Sequence, residues 1–142
     1  MARYLLDTSA LYPLLLRLGD RIIDYAHLLA VLDLTLYEAG NTVWKEHRAG
    51  RVRRLEPVTR LLEEFFSSVE IIRIEPRDIT GIARLAVEEG LTFYDASYLY
   101  TARMKGLRLV TEDKDLKPYR VSMGVEEFTR LVEEAEPGGE HP

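Results

Sequence analysis

The chain has 142 residues, a formal net charge of −5 and no cysteine. That length fits a single domain with a real core, and the missing cysteine excludes disulfides, thiolate zinc sites and thiol nucleophiles. The acidic balance argues against a protein that coats nucleic acid by charge alone.

Residues 3–6 (Arg-Tyr-Leu-Leu) form a short apolar run that suits a buried parallel strand. It ends at Asp7, and Thr8 and Ser9 offer hydroxyls to cap a following helix. Asp7, Pro13 and Arg17 break this stretch, so it does not read as a signal peptide. No run reaches the ~20 apolar residues that span a bilayer, and a cytoplasmic protein is expected. Asp20 can cap a helix whose Ile22, Ile23, Ala26 and Leu29 share one face. Residues 31–36 alternate leucines with Asp33 and Thr35, which reads as a strand. A helix over Tyr37–Ala49 closed by Gly50 follows, then a helical stripe of Val58, Leu61, Leu62, Phe65 and Phe66. Residues 69–74 are β-branched and strand-like. Pro76 is placed to start a helix with Ile79, Ile82, Ala83 and Ala86 inward and Gly90 at its end. Asp95 opens another helix, which ends at Gly106, and residues 107–111 read as a strand. An extended piece near 119–122 precedes a last helix with Val125, Phe128, Leu131 and Val132 inward. Residues 136–142 read as a flexible tail after a domain spanning 1–135.

Strands that alternate with helices predict an α/β domain, with a central, mainly parallel sheet flanked by helices. With 46% apolar and 30% charged residues the chain is globular rather than disordered. There is no glutamine, Asn41 is the only asparagine, and 15 of the 19 basic residues are arginine. That pattern fits a thermophilic source, and a GC-rich genome gives the same arginine bias.

Four acids occupy the same kind of place. Asp7 and Asp113 follow strands; Glu38 and Asp95 stand at helix starts. Each alone fits a helix cap, but in open α/β sheets ligands bind outside the carboxyl ends of the strands. Two carboxylates at 4 Å repel by about 4 kcal/mol at an effective dielectric near 20. A hard divalent cation relieves such a conflict, and one or two such ions support phosphodiester cleavage.

Four motifs stand in order along the chain: Leu5-Leu6-Asp7-Thr8-Ser9-Ala10, Leu36-Tyr37-Glu38-Ala39-Gly40-Asn41, Tyr94-Asp95-Ala96-Ser97-Tyr98, and Leu109-Val110-Thr111-Glu112-Asp113-Lys114-Asp115-Leu116. On these motifs the chain resembles PIN-domain ribonucleases over roughly residues 3 to 132, most closely the small VapC-type toxins of prokaryotic toxin–antitoxin pairs. The resemblance implies an endoribonuclease whose Asp7, Glu38, Asp95 and Asp113 hold one or two Mg²⁺ or Mn²⁺ ions, with Asp115 at a less regular fifth position. It further implies an RNA substrate, a small antitoxin partner and a homodimer; the apolar helices of residues 20–30 and 55–66 are candidates for the dimer surface. Thr8 and Thr111 are candidates to orient water or phosphate, or are turn and cap hydroxyls. Asn41 shares a helix face with Glu38 and is a candidate to orient a carboxylate or bind substrate.

Arg48, Arg51, Arg53 and Arg54 lie within seven positions. They form either an RNA-phosphate grip or a solvated loop. Tyr94, Tyr98 and Tyr100 are stacking surfaces for bases or packing residues. His27 and His47 have no partners at metal-ligand spacing. A dehalogenase-type phosphatase would carry a second Asp two residues after Asp7, where Ser9 stands. Two readings remain beside the toxin: a PIN nuclease of RNA processing, and a non-catalytic PIN-like module that binds RNA or protein.

Overall fold

The computed structural model describes residues 1–135; the expected tail at 136–142 lies outside them. Five short strands build the sheet: β1 (Tyr4–Leu6), β2 (Leu29–Leu32), β3 (Glu70–Ile72), β4 (Arg108–Val110) and β5 (Ser122–Met123). All neighbours pair in parallel, in the order β3-β2-β1-β4-β5. The helices are α1 (Thr8–Leu18), α2 (Asp33–Arg48), α3 (Leu55–Ser68), α4 (Ile79–Glu89), α5 (Phe93–Lys105) and α6 (Val125–Glu134), with 3-10 segments at Gly19–Leu28 and Pro76–Asp78.

The central strands are buried on both faces, which is why they read as continuous apolar runs. Successive side chains point to opposite faces. Leu6, Val31, Val110 and Met123 join one core with Leu11, Leu14, Phe65 and Phe128 from α1, α3 and α6. Leu5, Ala30, Leu32, Ile72 and Leu109 join the other with Leu99 and Ala102 from α5. Phe65 and Phe128 are fully buried, each contributing about 1.5–3 kcal/mol of transfer free energy. Gly90 and Gly106 end α4 and α5 at φ 70° and 67°, in the left-handed region that other residues rarely adopt.

Several sequence expectations are corrected. The second strand is 29–32, not 31–36. All four of its residues are buried, and Asp33 already begins α2. The period-two pattern is accidental: inside the helix Thr35, Ala39 and Val43 face inward at a spacing of four, while Leu36 is 37% exposed. Residues 19–28 wind as a tighter 3-10 helix, and Leu29 belongs to β2. Leu18, not Asp20, occupies the position before that helix. Asp7 itself caps α1, in place of Thr8 or Ser9. Thr92 caps α5, with Asp95 inside the first turn. Pro76 opens a short 3-10 turn ahead of α4, where Ile82 is buried but Ile79 and Ala83 are exposed. Leu131 is likewise exposed on α6. Among the described residues no helix is long and apolar enough to cross a membrane.

Chain order reverses between β1 and β4: the chain passes from β1 to β2 to β3, then returns to place β4 on the other side of β1. A crevice therefore opens outside the carboxyl ends of β1 and β4. Asp7 directly follows β1, and Thr111 directly follows β4.

Candidate active site

Asp7 is only 3% exposed. Its Oδ1 accepts from the Ser9 hydroxyl at 2.7 Å and from the Ala10 amide at 3.0 Å, and its Oδ2 accepts from the Thr111 hydroxyl. Burial raises its carboxyl from the ordinary 3.8 to about 6; the hydrogen bonds pull it back in part, and Asp113 adds repulsion. Ser9 also accepts from the Glu112 amide at 2.9 Å, so α1 and the loop after β4 are fastened together under Asp7.

That loop turns back on itself. The Asp113 amide donates to Thr111 Oγ1 at 3.0 Å, and the Asp115 amide donates to Asp113 Oδ1 at 2.8 Å. This coil carries Asp113 and Asp115 toward the first turn of α5, where Asp95 sits. One carboxylate oxygen from each of Asp95, Asp113 and Asp115 lies within 4.8 Å of the others. Partial burial raises the Asp95 carboxyl, and the charges of Asp113, Asp115 and Glu38 raise it further, against one hydrogen bond from Thr92.

Glu38 stands in the second turn of α2 and is held from below. Thr8 donates to its Oε1 at 2.8 Å, and the Tyr98 hydroxyl donates to the same oxygen at 3.0 Å. Tyr98 has one proton and gives it to Glu38, so the 2.7 Å contact with Thr35 is one in which Thr35 donates. Tyr98 is 3% exposed and Thr35 is fully buried. Burial raises the Tyr98 phenol, which keeps it a donor.

The five expected acids thus fall into a tight set of three, with Asp7 and Glu38 outside it but electrostatically coupled to Asp113 and Asp95. None of the ion pairs among the described residues involves any of the five, and Lys117 beside the loop is taken by Glu112 at 2.7 Å. Unmatched carboxylates in such an array fit a hard divalent cation with oxygen ligands.

The hydroxyls of Thr8 and Thr111 are committed to Glu38 and Asp7. Asn41 makes no side-chain hydrogen bond to Glu38; it lines an open depression with Thr8, Tyr37, Glu38 and Thr42. The arginine segment divides. Arg51 is bound bidentately to Glu46 at 2.8 Å, Arg48 lies over the Trp44 ring, and Arg53 and Arg54 are exposed. Tyr98 offers no stacking face because it is buried, and Tyr100 packs closely over Gly81. The parts missed in the sequence are the supports: Ser9, Thr35 and Tyr98 as hydrogen-bonding partners. Thr35 was hidden by the misread strand. The hydrogen bond from Tyr98 to Glu38 spans 60 residues and carries no local signal.

The geometry predicts a selective effect of Tyr98→Phe. Loss of one donor to Glu38 leaves the ring packing intact, so the acidic cluster should need about tenfold more divalent ion for half-saturation and still saturate. An unchanged ion requirement in a metal titration would show that Tyr98 only fills space.

A model of the PIN domain family matches residues 4–121. The chain is 49% identical over 113 residues to the Pyrobaculum aerophilum protein Exonuclease VapC9, covering 80% of this chain and 82% of that protein. It is 32% identical over 100 residues to Ribonuclease VapC3 of the same organism, covering 69% and 76%. A crystal structure of a P. aerophilum protein matches with a TM-score of 0.79 at 44% identity, over 92% of this chain and 97% of that one. A chain of a toxin–antitoxin complex from Klebsiella pneumoniae matches with a TM-score of 0.59 at 25% identity, over 84% and 95%. Motif order, sheet topology and these likenesses agree: the chain belongs to the PIN domain family and, within it, to the VapC-type nucleases.

Proposed function

We propose that the chain is a Mg²⁺- or Mn²⁺-dependent endoribonuclease and the toxin of a toxin–antitoxin pair. The observation that carries the reading is the convergence of Asp95, Asp113 and Asp115 beside Asp7 and Glu38 at the sheet's switch point, without a neutralising side chain among the described residues. Asp95, Asp113 and Asp115, with Asp7 and Glu38, are the residues to hold one ion or two. A bound divalent ion supplies a Lewis acid and a nucleophilic water at neutral pH. The protein's own part is to hold these carboxylates in place. Ser9, Ala10 and Thr111 lock Asp7, while Thr8 and Tyr98 lock Glu38, so the ligand geometry needs little rearrangement. Hydrolysis then proceeds by water oxygen attacking phosphorus as the opposite P–O bond breaks, the water's proton balancing the departing oxygen.

One relative is named an exonuclease and the other a ribonuclease. The endonucleolytic reading is supported by the open depression beside Glu38, which an internal phosphodiester can enter without threading a chain end. Arg53 and Arg54 are available for phosphate contacts. The K. pneumoniae complex supports an antitoxin partner; homodimerisation and a cytoplasmic location are further parts of the proposal.

A circular single-stranded RNA tests it. With Mg²⁺ or Mn²⁺ the circle should be linearised, and EDTA should stop the reaction. Degradation of linear but not circular RNA would replace the reading with an exonuclease. Failure to cut either RNA with any divalent ion would leave a non-catalytic binding module.

A further inference from the structure

Helix α2 continues past the acidic site and carries a second pattern. Tyr37, Asn41, Trp44 and Arg48 recur at steps of four, three and four, so at 3.6 residues per turn they fall in one narrow stripe. Its first residue adjoins Glu38. Tyr37 is 81% exposed and Trp44 51% exposed, although side chains of this size usually find cover. Asn41 is exposed and makes no side-chain hydrogen bond among the described residues. The Arg48 guanidinium sits 5.1 Å from the Trp44 ring centroid. Two surface depressions follow one another along the stripe: one lined by Tyr37, Glu38 and Asn41, the next by Trp44, Lys45 and Arg48.

The chemistry of the stripe is that of an unpaired nucleotide strand's partner. Aromatic faces suit bases, an unengaged amide suits a base edge, and cations suit phosphates. A protein partner would favour a continuous apolar face. Such a face lies elsewhere around α2, where Leu36 and Gly40 meet Leu62 and Phe66 of α3. On the stripe, each aromatic is followed by a polar or cationic group instead. Trp44 lies seven positions after Tyr37, about 10 Å along the axis. That exceeds the ~3.4 Å step of a stacked strand, so the two rings would take bases that are not adjacent.

We propose that Tyr37, Asn41, Trp44 and Arg48 form a single-stranded RNA track, with bases stacking on Tyr37 and Trp44 and with Lys45 and Arg48 meeting phosphates, that leads the strand into the acidic site. This rests on the ribonuclease reading and adds its substrate-guiding surface.

Trp44 is the only tryptophan in the chain, so its emission reports directly on the track. Full-length protein in EDTA, where cleavage is silent, is titrated with a short mixed-sequence single-stranded oligoribonucleotide. A strand of the same length made of abasic ribose phosphates and a duplex RNA are run beside it. The single strand should quench Trp44 saturably, while the abasic strand and the duplex should not. By fluorescence anisotropy, Trp44→Ala and Tyr37→Ala should each bind about tenfold more weakly. Trp44→Phe should keep most of the affinity, and Tyr37→Ala retains the tryptophan signal as a check on folding. RNA binding with unchanged Trp44 emission, or unchanged affinity in Trp44→Ala, would overturn the track. So would emission that follows protein concentration instead of RNA, together with loss of a dimer in Trp44→Ala, which would make the stripe a contact between copies of the chain. Wild-type cleavage of RNA, measured separately with Mn²⁺, separates the two readings. Cleavage with a silent Trp44 removes only the track, whereas neither binding nor cleavage removes the ribonuclease reading as well.

Discussion

Asp7→Asn and Asp95→Asn are each expected to reduce divalent-ion-dependent RNA cleavage at least a hundredfold, about 2.7 kcal/mol of barrier, while the protein stays folded. The two halves of this expectation come from different parts of the structure. Activity should collapse because each change removes a carboxylate from an array whose charge no basic side chain among the described residues matches. The fold should survive at position 7 because asparagine can reproduce the hydrogen bonds. Its carbonyl oxygen can accept from Ser9 and Ala10, and its amide can donate to a reoriented Thr111 hydroxyl. Asparagine is also a good helix cap, and Asp7 caps α1. Position 95 is partly exposed, and the loss of its charge relieves repulsion from Asp113, Asp115 and Glu38. Initial cleavage rates at saturating Mn²⁺ and thermal melts of the same preparations check both halves. Undiminished cleavage by either variant, from protein free of contaminating nuclease, would remove that carboxylate from the site.

The metal-free protein should lose stability as pH rises from about 4 to about 6. Asp7 titrates near 3.8 when unfolded and near 6 when folded, so in this window the folded state binds more protons. Stability then falls with rising pH. The full displacement corresponds to roughly 3 kcal/mol, an order-of-magnitude figure. Asp95 acts in the same direction. Glu46 and Glu112 act oppositely, because Arg51 and Lys117 lower their carboxyls. The informative quantity is therefore the difference between wild type and Asp7→Asn, measured as melting temperature against pH in EDTA. That difference should shift in favour of the variant as pH passes from 4 to 6 and then level off. Adding Mg²⁺ or Mn²⁺ above pH 6 should reverse it, since binding to the ionised folded form stabilises by mass action. Parallel melting profiles for the two proteins would refute the raised Asp7 carboxyl.

Much of the architecture was legible because its causes are local. A strand buried on both faces reads as a short apolar run, as Leu5-Leu6 and Leu109-Val110 do. Gly90 and Gly106 mark helix ends because the left-handed turn needs glycine. The misreadings share a cause too. Leu32, Leu34 and Leu36 satisfy a two-residue period as well as they fit a helix. What decides between the two is that β2 pairs with β1 as far as Ala30 and with β3 as far as Leu32, where the ladder ends. Tyr98 was indistinguishable from Tyr94 and Tyr100 by sequence, yet it alone turns beneath Glu38, while Tyr94 is exposed and Tyr100 packs on Gly81.

By itself the sequence determined the class of fold and the places where acids follow strands or open helices, and its lack of cysteine removed thiolate from any ligand set. The tertiary structure decided which acids meet. It drew Asp95, Asp113 and Asp115 into one set and left Asp7 buried on three donors. It also left Trp44 exposed and split the arginines between Glu46, an indole and solvent. The physical reason is range. Periodicity and capping act over a turn of helix or a few residues of strand, whereas Asp7 and Thr111, 104 positions apart, are brought together by the sheet order, which set β4 beside β1.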